Sequence, residues 1–362
     1  MNRPQPTPWL DRIPAYVPGT SKDTIMKRFG IDNPIKLASN ENPLGPSPEA
    51  IKAIEGSTHD AHLYPDPDAT DLRKAASAFF GCEPGQIIAG NGSDEIIDLV
   101  CRAFLEPGDE VIIPETTFSY YRIASLACGA RVTESCMRDH AIAVDDIVEH
   151  LSDKTKAVFI ANPNNPTGDC LGKDEILHLI EKVPEHTLLV IDEAYAAFVR
   201  GSNFLSAVSL ITERENLLTI HTLSKSHGLA GLRIGFGIAG PWIMESLYRI
   251  KPPFNVNLLA LKAGEAALND RTFLQQTLEI TWDGLDYLYA ESTRLGLSYV
   301  PSQTNFVLMH IGAEARRVYE ELLKRGIITR YMASYGLDDY IRVSIGLPEE
   351  NRAFIRHLEE IL

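Results

Sequence analysis

Lys225 is the side chain around which chemistry could be organised. It lies in His221-Thr222-Leu223-Ser224-Lys225-Ser226-His227-Gly228-Leu229-Ala230-Gly231-Leu232-Arg233, at the end of an apolar run and eight positions before Arg233. A lysine that is partly desolvated can attack a carbonyl as the neutral amine, so this setting suits Schiff-base chemistry. Ser224 and Arg233 could grip a phosphate, the arginine in bidentate fashion. Taken alone, though, a Ser-Lys pair is better explained as a solvated lysine in a glycine-rich loop.

Other polar groups follow apolar runs in the same way. Asp192 closes 188–191 and precedes Glu193-Ala194-Tyr195. A carboxylate at the end of a buried strand is costly unless it meets a cation. A protonated pyridine nitrogen would be such a partner, and so would an arginine; backbone amides could also hold it. In Asn162-Pro163-Asn164-Asn165-Pro166-Thr167-Gly168, two prolines and a glycine make a rigid loop that could present an amide at the sheet edge. A tight turn whose asparagines bond their own backbone explains the prolines equally. Gly90-Asn91-Gly92-Ser93-Asp94-Glu95 opens a helical pattern, and its first N–H groups would favour a phosphate. By itself this is an ordinary turn with Ser93 as N-cap. Glu95 stands where a dinucleotide fingerprint needs a third glycine. His59 and His62 have no third ligand near them in sequence, so no metal site is expected.

These groups need a frame. Apolar strands without alternation, separated by amphipathic helices, point to an α/β fold with a mostly parallel sheet covered on both faces. Strands are expected at 111–113, 157–161, 188–191, 217–222 and 234–239, and helices at 69–80, 93–104, 173–182 and 256–269. A long helix over 273–295 precedes a second α/β block with strands at 306–311 and 341–345. The division expected is an N-terminal arm (1–35) beside the small domain or a partner subunit, a large domain (36–260) and a smaller C-terminal domain (261–362). Ligands of open α/β sheets gather beyond the carboxyl ends of the strands. Asn162, Asp192, Ser224 and Lys225 should therefore converge.

Bulk properties narrow the function. A chain of 362 residues, 44% hydrophobic, is too long for one ordinary core. A formal charge of −15 argues against a broad nucleic-acid footprint or an anionic membrane surface. It leaves room for a small anionic substrate held by a few converging arginines. Five scattered cysteines without a C-x-x-C suggest neither a disulfide framework nor zinc. The polar, proline-rich start lacks the apolar core of a signal peptide, and the natural setting is cytoplasmic.

Read together, Asn-Pro-x-Asn-Pro-Thr-Gly, Asp192-x-x-Tyr195 and Ser224-Lys225 with Arg233 resemble the ordered signature of the fold-type-I aminotransferases, over nearly the whole chain. The stretches 40–48, 64–67, 90–95, 16–19 and 326–330 are similar to the histidinol-phosphate aminotransferase subfamily. The resemblance implies a large domain with a seven-stranded type of sheet and pyridoxal 5'-phosphate as cofactor. Lys225 would carry the cofactor as a Schiff base and move the proton. Asp192 would pair with the pyridine nitrogen, and Tyr195 and Asn165 would bond the phenolic oxygen. Phe118 would stack on the ring, where the family often has tyrosine. Ser93, Asp94, Ser224 and Arg233 would hold the phosphate, with Tyr64 reaching in from the partner of a homodimer. Arg342 would bind the carboxylate of glutamate or 2-oxoglutarate and Arg330 the phosphate of histidinol phosphate. Asn42 and Tyr16 would lie near the imidazole. An aromatic amino-acid aminotransferase on the same scaffold is the nearest alternative, and a non-catalytic cofactor-binding regulator a remote one.

Overall fold

The unalternating apolar runs become the interior of a seven-stranded sheet in the computed structural model, which describes residues 3–13 and 19–362. Tyr16 lies outside the described residues. In chain order the strands are β1 (Ile87–Asn91), β2 (Glu110–Pro114), β3 (Arg131–Ser135), β4 (Thr155–Ala161), β5 (Leu188–Asp192), β6 (Leu217–Thr222) and β7 (Ile234–Ala239). Their order across the sheet is β1-β7-β6-β5-β4-β2-β3. Neighbours from β6 to β3 are parallel, while β7 runs against both β6 and β1. The antiparallel strand has a simple cause. The link from Thr222 to Ile234 carries Lys225 and is too short for a helical crossover. The edge strand β3 lacks a continuous apolar run and exposes Arg131 and Glu134, which is why it is not evident from sequence.

Alternate residues of one strand serve opposite cores. Val158 and Ile160 face one apolar cluster, and Ala157, Phe159 and Ala161 face the other. A strand buried on both faces must be apolar at every position, and its ends are where polar groups can emerge.

A 24-residue helix, Arg271–Arg294, joins this domain to the small one, with Asp270 capping it through Phe273 N (3.0 Å). The small domain holds an antiparallel sheet of β8 (Ser298–Val300), β9 (Phe306–His310), β10 (Arg330–Tyr331) and β11 (Tyr340–Ser344), in the order β8-β9-β11-β10. Helices Ala315–Lys324 and Pro348–Ile361 supply Val318, Leu322, Phe354 and Leu358 to its core. Leu37 is part of that core, and Ile35–Lys36 pairs in parallel with Ile327–Ile328. The chain is thus stitched to the small domain at 35–37 before it enters the large one.

The expected arm divides between two surfaces. Trp9 donates its indole N–H to Ala127 O of the large domain (2.8 Å). Ile25, in the helix Lys22–Phe29, packs with Leu323 and Ile328 of the small domain. Among the described residues no helix is long and apolar enough to cross a membrane.

Candidate active site

A cavity of about 230 Å³ opens at the carboxyl ends of β4, β5 and β6. Ser93, Asp94, Phe118, Asn165, Asp192, Tyr195, Ser224, Lys225 and Arg233 all line it, so nine residues separated by up to 140 positions converge.

One end suits an anion. The helix Ser93–Phe104 points its N-terminus here from Gly92, whose φ is 86°. A Cβ on Gly92 would come within 2.4 Å of an Arg233 guanidinium nitrogen, so only glycine admits that side chain. Arg233 itself has φ 57°, an uncommon backbone state for a non-glycine residue, which costs about 1–2 kcal/mol. The strained backbone aims its guanidinium at Asp94 Oδ2 (3.1 Å) and Ser224 Oγ (3.4 Å). Helix N–H groups, a hydroxyl and a guanidinium make a phosphate cradle.

The floor is Asp192. Tyr121 donates to its Oδ2 (2.7 Å) and Ala194 N to its Oδ1 (3.0 Å). Burial pushes its carboxyl up to about 6, offset in part by these two bonds. Both donors are neutral and the Lys225 ammonium offsets the burial only weakly, so among the described residues the ionised carboxylate has no cation in direct contact. A pyridinium N–H meets that need. Tyr121 stacks on Phe159 (centroids 5.3 Å apart) and meets the edge of Phe118 (5.5 Å). Tyr121 was not evident from sequence, and its only signal is a position three residues after Phe118 on the helix that follows.

At the opposite wall Lys225 Nζ donates to Ser39 O (3.3 Å). Burial, then the nearby Arg342 guanidinium, bring its amine down to about 8. An appreciable fraction is therefore neutral near physiological pH, the form that attacks carbonyls and accepts protons. Tyr195 Oη accepts from Asn40 Nδ2 (2.8 Å). Arg342 donates to Asn165 Oδ1 and to Ala38 O (3.0 Å), over the Phe306 ring. The loop 162–168 resolves which asparagine faces the ligand. Asn162 caps Leu171 N (2.8 Å), Asn164 bonds Thr116 O and Thr167 Oγ1 (both 2.9 Å), and Asn165 is left at the cavity.

Arg330 lies directly across from Arg342 in the β10–β11 pair, on the same face. Arg342 is tied to the cavity through Asn165, which lines it, and Arg330 is its neighbour across the strand pair. Asn42 and Tyr64 lie outside this chain's own cavity lining, as Tyr64 must if it serves a partner subunit. Asn42 uses its amide inside the fold, donating to Ser226 O (3.2 Å) and Thr277 Oγ1 (3.0 Å) while accepting from Leu44 N (3.0 Å). Tyr64 is 82% exposed and stacks on Phe254 (4.6 Å) outside the cavity lining. The segment 38–40, absent from the expected set, touches Arg342, Lys225 and Tyr195 in turn.

Over residues 32–358 the sequence matches the family model for aminotransferase class I and II. The chain belongs to that family. It is 39% identical to the histidinol-phosphate aminotransferase of Moorella thermoacetica, over 97% of this chain and 91% of that one. It is 42% identical to the enzyme of the same name from Methylobacillus flagellatus, over 97% and 95%. A solved histidinol-phosphate aminotransferase from Sinorhizobium meliloti, in complex with pyridoxal-5'-phosphate, superimposes with a TM-score of 0.92 at 25% identity, covering 99% of this chain and 98% of that one. An aspartate aminotransferase double mutant from Thermus thermophilus shares the fold at 22% identity and a TM-score of 0.86. This aminotransferase therefore has the fold-type-I architecture expected of it. Its donor set, with a phosphate cradle at one end and a buried carboxylate beneath, fits pyridoxal phosphate.

Proposed function

We propose that this aminotransferase moves an amino group between L-histidinol phosphate and 2-oxoglutarate, using pyridoxal 5'-phosphate. The relatives that share nearly its whole length carry that activity in their names. Within the chain, the observation that carries the reading is Arg342, bonded to Asn165 of the cavity lining, with Arg330 directly across from it on the adjacent strand. Two guanidiniums give one position for a phosphate and one for a carboxylate, and two alternating substrates need both.

When bound, the cofactor supplies the electron sink that stabilises negative charge at the substrate carbon. Ser93, Asp94, Ser224 and Arg233 would hold its phosphate end, and Phe118 would lie against its ring. Asp192, once paired with the pyridinium N–H, stays ionised and holds that proton in place. Tyr195 and Asn165 would donate to the phenolic oxygen, Asn165 through Nδ2 because its Oδ1 is taken by Arg342. Lys225, lowered to about 8, would accept the proton from the substrate carbon at its Nζ and hold it for delivery to the cofactor carbon on the far side of the shared nitrogen. Arg342 orients the glutamate carboxylate and Arg330 the phosphate of histidinol phosphate. Two substrates using one site in turn give ping-pong kinetics.

Tyr64 completes the reading across an interface. An exposed tyrosine stacked on a second partly exposed ring, Phe254, suits a surface covered by another copy of the chain. The active form is then a homodimer in which each Tyr64 serves the partner's phosphate cradle. A fully active monomer in sedimentation overturns that assignment. A cytoplasmic setting belongs to the same reading, since all five cysteines are free thiols. The deciding experiment compares kcat/KM for histidinol phosphate and phenylalanine on the cofactor-loaded protein. Histidinol phosphate should be preferred, and a preference for phenylalanine removes the substrate assignment.

A further inference from the structure

Asn40 opens the motif Asn40-Glu41-Asn42-Pro43, yet nothing above gives it a task. It is 2% exposed and holds φ 56°, a state that asparagine tolerates better than most residues. Every polar group it owns is engaged. Its N–H donates to Ser344 Oγ (2.8 Å), and its backbone oxygen accepts from Asn305 Nδ2 (3.0 Å). Its Oδ1 accepts from Ser344 Oγ (2.9 Å), and its Nδ2 donates to Tyr195 Oη (2.8 Å).

This network fixes which way the amide points. Ser344 Oγ receives the Asn40 N–H, so its own proton goes to Asn40 Oδ1. The nitrogen of the amide must then face Tyr195. Tyr195 accepts at its oxygen and has its hydroxyl proton free for another partner. A hydroxyl whose oxygen accepts a hydrogen bond is a stronger donor through its own proton. Ser344 lies two residues beyond Arg342 on β11, so the same strand face carries the substrate-binding guanidinium and the anchor of Asn40.

We propose that Asn40 is a positioning residue: it ties the Tyr195 hydroxyl to the strand that bears Arg342, and it aims and strengthens the proton that Tyr195 gives to the cofactor's phenolic oxygen. This rests on the reading of Tyr195 as that donor. The charged groups around Tyr195 are Arg342, Asp192 and Lys225, and the substitutions below leave all three in place. Weakening the Tyr195 donor leaves negative charge on the phenolic oxygen less stabilised, so the proton shared by the lysine–cofactor linkage is held to higher pH.

The test is a double-mutant cycle read by the visible absorbance of the cofactor-loaded enzyme against pH. Asn40→Gly removes the amide while allowing the left-handed backbone. The midpoint should rise by about half a pH unit in the otherwise natural enzyme and barely move in the Tyr195→Phe background. Equal shifts in both backgrounds, or no shift in either, overturn the role of Asn40. Tyr195→Phe alone must also raise the midpoint; if it does not, the reading of Tyr195 itself has failed, which separates the two. Should Asn40→Gly not fold, Ser344→Ala run through the same cycle frees Oδ1 and should give a smaller shift of the same sign. Equal effects of Ser344→Ala in both backgrounds count against the proposal in the same way.

Discussion

At the phosphate end of the cavity, Ser93 and Asp94 open the helix after β1, and Ser224 and Arg233 lie in the link between β6 and β7, all within the large domain and its one sheet. At the amine end, Lys225, Tyr195 and Asn165 of the large domain meet Arg342 from β11 and the segment 38–40 that is stitched to the small domain. The first end is held by one rigid sheet. The second exists only while two domains keep their arrangement. Damage at the phosphate end should therefore weaken cofactor binding, whereas damage at the amine end should slow turnover and change substrate choice.

The largest effect expected is from Lys225→Ala. Turnover should fall by about a thousandfold or more, and borohydride treatment with peptide mapping should no longer label the chain at this position. Retained labelling would remove the lysine from the centre of the scheme. Next, Arg342→Gln should lower kcat/KM for glutamate by about 100-fold or more, the usual scale for truncating one partner of a buried charge pair. Its effect on cofactor affinity should be slight. Arg233→Ala should show the reverse pattern, weakening cofactor binding about 10- to 100-fold with a much smaller change in turnover at saturating cofactor. If fluorescence titration found equal affinity losses for these two arginine variants, the contrast between the ends would collapse.

A finer test lies within the amine end. Arg330→Ala should impair histidinol phosphate about tenfold more than glutamate, because only one of the two has a phosphate to lose. Equal losses would move Arg330 out of the substrate site. The smallest effect concerns stability of the cofactor-free protein. The Asp192 carboxyl is raised from 3.8 to about 6. A raised carboxyl favours the fold below its unfolded value and loses that contribution as pH rises through about 6, so the ionised group destabilises the empty site above that pH. Asp192→Asn should thus stabilise the apoprotein at pH 8 by about 1–2 kcal/mol and less at pH 5.5. Thermal melts at the two pH values check this, and the same variant should bind the cofactor more weakly.

Much of the phosphate end was legible because each of its parts is local. Gly92 before a helix, a serine beside a lysine, and an arginine just before the return strand are all readable as spacing. The rest was not, for definite reasons. β3 carries charged residues at a sheet edge and gives no apolar run. Tyr121 reads as an ordinary helical aromatic until the sheet brings Asp192 beneath it. Asn42 shares a motif with Asn40, yet one amide is spent inside the fold and the other reaches Tyr195. Two asparagines two positions apart look alike in a sequence; only their neighbours distinguish them.

The sequence by itself determined the buried central strands, the order of polar groups at their ends, and the lysine that chemistry would centre on. Those properties depend on residues within a few positions of one another, and apolar burial enforces them along each strand. Only the tertiary structure decided that Arg330 stands opposite Arg342, that Tyr121 supports Asp192, and that residues 38–40 reach three site residues. Such pairings join segments up to about 300 residues apart. Their geometry is set by how two separate cores pack together, and no local spacing encodes that.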